Sequence, residues 1–133
     1  MSKSIIIKKN GGSEVLEIEE YYLDSQGPKK GEVRIKHTAI GVNYIDTYHR
    51  SGIYPVGLPS VLGLEAVGVV VAVGPEIKDA HKAGVPLGAT RVVWPWVGCR
   101  KCEACLREED ILCENGRYLG ARVDGGYSDF MLI

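Results

Sequence analysis

Three features of the sequence predict a mainly β fold, a compact barrel or sandwich with one or two short helices. The stretch Glu32-Val33-Arg34-Ile35-Lys36-His37 alternates strictly between charged and apolar residues, the two-residue period of a strand with one face on a core. Gly68-Val69-Val70-Val71-Ala72-Val73-Gly74 is an apolar run closed by glycine at both ends, and it reads as a buried strand. The 17 glycines and 6 prolines supply the turns that many short strands need.

The remaining elements follow in order. Ile5 to Lys9 reads as a short strand halted by the turn Asn10-Gly11-Gly12, and Val15 to Tyr22 suits a second strand. A turn at Ser25 to Gly31 leads into the alternating strand. Asn43 to Gly52 is predicted as a short helix, with Asn43 as its cap and Gly52 closing it. Tyr54 to Pro59 and Asp79 to Thr90 read as loops, Arg91 to Trp94 as a strand, and Gly125 to Ile133 as the last strand.

With 133 residues the chain suffices for one domain with its own core. A hydrophobic content of 45%, 25% charged residues and a formal net charge of −1 describe a soluble globular protein without the basic patch a nucleic acid requires. No apolar run approaches the ~20 residues of a membrane span, and the first residues lead into a strand rather than a signal peptide. A reducing, cytoplasmic setting is the expectation, since four thiols accompany no secretory signal.

All four thiols fall in one stretch as Cys99, Cys102, Cys105 and Cys113, spaced C-x2-C-x2-C-x7-C. Four thiolates on a short, turning segment suit a tetrahedral Zn²⁺ at roughly 2.3 Å per Zn–S bond. Such a site has no open position, so the metal would be structural. Arg100, Lys101 and Arg107 lie among the ligands, where they could offset the cluster's negative charge. An iron–sulfur cluster is the rival, but the ferredoxin run closes with a shorter last gap. Two disulfides are a further alternative, for which cysteines this close make poor staples.

Five separated motifs resemble the medium-chain dehydrogenase/reductase superfamily: Gly41 to Asp46, Gly63 to Gly68, Val73-Gly74, the cysteine lobe, and Asp124 to Tyr127. The resemblance spans nearly the whole chain. It implies a GroES-like, partly open β-barrel over residues 1–133, with a Cys₄ zinc lobe at about 97–115. Within the superfamily, Asn43 to Tyr48 and Arg50 to Pro55 are most similar to NADPH-dependent quinone oxidoreductases, as is Gly11 to Leu16.

Two departures separate it from zinc alcohol dehydrogenases. Those enzymes place a catalytic Cys where this chain has Asn43, and a catalytic His where it has Leu64. Neither an amide nor an alkyl group is a normal zinc ligand. Many quinone oxidoreductases, conversely, lack the cysteine lobe. The turn before Arg91-Val92 also departs, since the family usually carries an acidic residue there.

The resemblance places Asn43, Asp46, Tyr48, Tyr54 and Glu65 in a cofactor and substrate cleft. Each has a plainer reading. Asn43 is also a helix cap. Tyr48 and Tyr54 are also amphipathic residues at the edge of a core. Glu65 is either a general acid/base or one half of an ion pair with Arg91 or Arg50. His37, His49 and His81 stand apart from any ligand spacing, and Trp94 and Trp96 are expected to pack the base of the lobe.

Nothing in the chain reads as strand–Gly-x-Gly-x-x-Gly–helix, the turn that cradles a pyrophosphate. In the family a Rossmann cofactor domain follows this one. The expectation is therefore a fragment, a single domain or a truncated gene product, inactive alone. It would act on a small quinone or enone in the complete enzyme, with NADPH there, and would tend to self-associate through its exposed domain face. The alternatives are a non-catalytic zinc-bearing module and a fragment of a zinc alcohol dehydrogenase.

Overall fold

Hydrogen bonding sorts the strands into three separate sheets in the computed structural model, which describes residues 1–22 and 27–133. β1 (Ser2–Ile7) and β2 (Leu16–Tyr21) form an antiparallel ribbon, in register from Ser2 opposite Tyr21 to Ile7 opposite Leu16. The turn at Asn10 to Gly12 and a short 3-10 helix (Ser13–Val15) connect them. The predicted turn at Ser25 to Gly31 lies partly outside the described residues.

β3 (Val33–Gly41) and β5 (Glu65–Val73) are the longest strands and pair antiparallel. The predicted alternation holds, since Val33 and Ile35 are buried while Lys36 is exposed. Two register shifts, at Arg34/Ile35 and His37/Ala39, interrupt the ladder. Gly68 lies against β3 so closely that a Cβ would run into the Lys36 carbonyl, so only glycine fits. β5 itself corrects the fully buried reading. It begins at Glu65 and alternates, with Ala66 and Val70 inside and Val71 41% exposed, because the sheet is covered on one face only.

Between these strands lie α1 (Tyr44–Ser51) and β4 (Ser60–Val61), the latter pairing with β1. α1 ends as its sequence predicts, with Gly52 in the left-handed region at φ 84° and its N–H on the Tyr48 carbonyl at 3.0 Å. β6 (Thr90–Val92) adds to the free edge of β5, and β9 (Phe130–Leu132) adds to β3. β7 (Trp96–Val97) and β8 (Arg117–Tyr118) form a small separate ribbon at the foot of the cysteine lobe, which carries α2 (Glu103–Leu106). Among the described residues no helix is long and apolar enough to cross a membrane.

Two apolar clusters fill the fold. One joins Val33, Ile35, Ala66, Val70, Leu119 and Met131. The other joins Ile7, Val15 and Leu62, with Tyr127 packed on it. Leu62 is 1% exposed, whereas Ile18 on the outer ribbon is 72% exposed. Leu62→Ala is expected to cost about 2–5 kcal/mol, and Ile18→Ala within about 0.5 kcal/mol of nothing. Urea melts of the two variants check the contrast.

Candidate metal centre and cleft

The chain leaves β7 through Gly98 and turns at Arg100, which sits at φ 62° between the first two cysteines. Cys105 rides on α2, and Cys113 follows a 3-10 turn (Asp110–Leu112) that returns the chain to β8. This path brings the four sulfurs within 4.8 Å of one another, with Cys102 to Cys113 at 3.7 Å and Cys99 to Cys105 at 4.0 Å. A tetrahedron with ~2.3 Å bonds has edges of about 3.8 Å, so the donor set fits Zn²⁺. Among the described residues it is the one group of three or more Cys, His, Asp or Glu arranged to hold a metal.

Backbone amides support the sulfurs. Cys102 N–H donates to Cys99 Sγ at 3.3 Å, and Cys99 N–H donates to Cys113 Sγ at 3.4 Å. The amides of Lys101 and Cys102 bring the Cys99 thiol down to about 6, while desolvation pushes Cys105 up to about 12. A bound cation would release that second proton. The cationic side chains go elsewhere than the sequence suggests. Arg100 pairs with Asp110 at 3.4 Å, and Arg107 pairs with Glu103 and Glu109. These carboxylates compete for the arginines, and the charge compensation near sulfur falls to peptide dipoles.

The foot of the lobe is Trp96 alone. Its ring stacks on Tyr118 at 5.1 Å, and its Nε1–H donates to the Asp110 carbonyl at 2.5 Å. Trp94, in the irregular stretch after β6, is 71% exposed and does not share this role.

The second constellation surrounds the start of α1. Asn43 is indeed the cap residue: its N–H donates to Asp46 Oδ2 at 2.9 Å. Its side-chain Nδ2–H donates to Glu65 Oε2 at 2.9 Å, so the cap residue also reaches the start of β5. Glu65 thereby pairs with an amide rather than with either arginine. Arg91 donates to the carbonyls of Gly84 and Thr90, and Arg50 donates to Gly11. Tyr48 packs edge-on against Tyr54, and equally against Tyr44, at 5.3 Å in each case. Tyr44, which the sequence reading passed over, is 76% exposed. Its spacing of four residues from Tyr48 on a helix was the available signal.

Asp46 turns inward, away from the exposed tyrosines. It is 4% exposed, and its Oδ2 accepts the Tyr127 hydroxyl at 2.7 Å. Burial, then the Asp46 carboxylate, raises the Tyr127 hydroxyl well above its ordinary range. His49, 3% exposed, is held below its ordinary value by desolvation. Tyr127 had no sequence signal for this contact, lying 81 residues from Asp46. On the flank of Asp46 runs an apolar groove of about 560 Å³ walled by Ile5, Leu16, Ile18 and Ile40.

Comparison with known proteins places these features. Residues 29–133 match the alcohol dehydrogenase GroES-like domain family. A quinone oxidoreductase of Pseudomonas aeruginosa is 48% identical over 97 residues, which are 67% of this chain and 29% of that protein. An alcohol dehydrogenase of Geobacillus stearothermophilus is 32% identical over 132 residues, covering 98% of this chain and 36% of that protein. A solved NAD-dependent alcohol dehydrogenase superposes with a TM-score of 0.86 at 33% identity, covering 98% of this chain and 37% of its own. The chain thus spans roughly a third of the length of the proteins it matches.

The purified protein is expected to carry one equivalent of Zn²⁺ by elemental analysis. Cys102→Ser should release it and loosen the lobe while the β3–β5 sheet persists. Retention should weaken progressively as pH falls, because protons compete with the metal for the thiolates, and most steeply below about 6, where the Cys99 thiol is protonated as well. A pH series of zinc retention against a chelator measures this.

Proposed function

The chain belongs to the family of alcohol dehydrogenase GroES-like domains, and from that membership we propose that it forms the substrate side of an NAD(P)H-dependent, quinone-oxidoreductase-like reductase. The observation carrying this reading is the Asn43–Glu65 pair with Leu64 beside it. An amide, an alkyl group and one carboxylate do not make a catalytic zinc site. What they offer is a polar pair at the start of α1, the helix that also carries Tyr44 and Tyr48. In the complete enzyme a bound nicotinamide would supply the hydride for a quinone or enone.

This chain's residues bind and orient. Glu65 engages one N–H of the Asn43 amide and leaves the other N–H for a substrate carbonyl, where negative charge grows as hydride arrives. Tyr44, Tyr48 and Tyr54 form an aromatic wall against which a planar ring can stack. The zinc, held by Cys99, Cys102, Cys105 and Cys113, braces the lobe and takes no part in the chemistry. No glycine-rich strand–helix turn falls within these 133 residues, so pyrophosphate and adenosine would be held by groups outside them. A second reading, supported by the four clustered cysteines, is a zinc-bearing module without catalysis of its own.

Alone, the chain is expected to show neither saturable NADPH-dependent quinone reduction nor micromolar NADPH binding by calorimetry. Most of the cofactor's binding energy would come from groups outside it. Joined to the remaining residues of the Pseudomonas aeruginosa relative, it should reduce quinones. A chimera that stays inactive while binding cofactor would favour the non-catalytic reading. Val42, Tyr44, Ile53 and Tyr54 are all more than half exposed, so the isolated chain should also elute as more than a monomer at high concentration.

Cobalt substitution is expected to give one sulfur-ligated tetrahedral spectrum per chain. A second spectrum from nitrogen or oxygen ligands near Asn43 and Glu65 would revive a metal-dependent dehydrogenase.

A further inference from the structure

The Asn43–Glu65 pair joins two segments that are far apart in sequence, and neither residue is buried enough for packing alone to fix its rotamer. Asn43 is half-buried and Glu65 exposed. Something behind them must set the distance of 2.9 Å. Asp46 touches both supports. Its Oδ2 accepts the backbone N–H of Asn43 at 2.9 Å and the hydroxyl of Tyr127 at 2.7 Å. Tyr127 in turn is tied to the strand segment that leads into Glu65. Its own N–H donates to the Leu62 carbonyl at 3.0 Å, its neighbour Gly126 donates to the Gly63 carbonyl at 2.8 Å, and its ring covers Gly63 so closely that a Cβ there has no room.

We propose that Asp46 is a positioning residue: through the Asn43 amide on one side and Tyr127 on the other, its carboxylate holds the side chain of Asn43 on Glu65. The inference rests on the reading of Asn43 and Glu65 as cleft residues and adds to it the group that governs their geometry. A helix cap alone would need no buried tyrosine partner. A cap residue usually satisfies its amides with solvent or its own helix. Here the same oxygen serves the cap and a residue 81 positions away, and the carboxylate is 4% exposed. Low local dielectric strengthens both hydrogen bonds and lets neither partner drift.

One consequence concerns which way the Asn43 amide faces. With Asn43's backbone pinned by Asp46, the carboxylate of Glu65 can accept only from the Nδ2 end, so the amide oxygen points away from Glu65. The donor offered to a substrate carbonyl is therefore fixed before the substrate arrives. Gly41 contributes room, since a Cβ there would collide with the Glu65 carboxylate.

The test uses NMR of the zinc-loaded 133-residue chain and needs no substrate, so it stands whether or not quinones bind. The side-chain amide resonances of Asn43 should move with the ionisation of Glu65, and Glu65→Gln should abolish that movement. Asp46→Leu should abolish it as well, with Glu65 intact and the zinc content unchanged. Asp46→Asn, which keeps an oxygen able to accept both hydrogen bonds, should restore it. Tyr127→Phe keeps the ring over Gly63 and loses only the hydroxyl; it should weaken the movement and serves where Asp46→Leu fails to fold. A merely structural role for Asp46 would lower stability in these variants and leave the Asn43 response to Glu65 intact. An unchanged response in folded Asp46→Leu or in Tyr127→Phe overturns the proposal. So does an Asn43 amide that ignores Glu65 in the unaltered protein.

Discussion

The segment from Gly125 to Asp129 is a seam, and both larger sheets depend on its backbone hydrogen bonds. On one side Gly125 and Tyr127 donate to Val61 and Leu62 at 2.7 and 3.0 Å. On the other, Tyr127 accepts from Ile5 at 2.7 Å, and Asp129 exchanges with Lys3 and His37 at 2.9 and 2.8 Å. At about 0.5–1.5 kcal/mol net for each such bond, the seam is a substantial share of a small domain's stability. It also explains how sheets that do not close into one barrel still behave as one body. The apolar clusters lie to either side of it, with Leu62 and Tyr127 in one and Leu119 and Met131 in the other.

The cysteine lobe follows a different physical logic. It has no apolar core of its own, and Leu106, Ile111 and Leu112 are all more than 60% exposed. Its order comes from peptide N–H groups aimed at sulfur and from the Trp96–Tyr118 stack at its foot. The arginines are engaged by carboxylates within the lobe, which keeps the ligands free of competing cations. A metal held by the four sulfurs would supply cohesion on that scale.

Much of this was legible in the sequence, for identifiable reasons. The period of two in Glu32 to His37, the cap pair of Asn43 and Gly52, and the spacing of the four cysteines are local signals, and local signals survive folding. β5 was misread as buried throughout because an apolar run does not say how many faces of a sheet are covered. Trp94 and Trp96 look alike in sequence, yet Trp94 lies in the irregular stretch between β6 and β7 and is exposed, while Trp96 opens β7 and its indole reaches the lobe. Of the two readings of Glu65, the ion pair with Arg91 or Arg50 gives way to an amide partner, since partner choice depends on contacts between distant segments. The Asp46–Tyr127 contact lay beyond reach for the same reason.

The stacked pair of Trp96 and Tyr118 brings the two ends of the lobe side by side at 5.1 Å. Everything from Val97 to Arg117 is thus a closed excursion, entering and leaving the domain at one point. The entropy of closing such a loop changes only slowly with its length. The excursion can accordingly be lengthened, shortened or exchanged in the course of evolution with little consequence for the sheets beneath it. A four-cysteine lobe in the same chain as the Asn43–Glu65 pair then needs no special history: the two belong to parts of the chain that are free to vary independently.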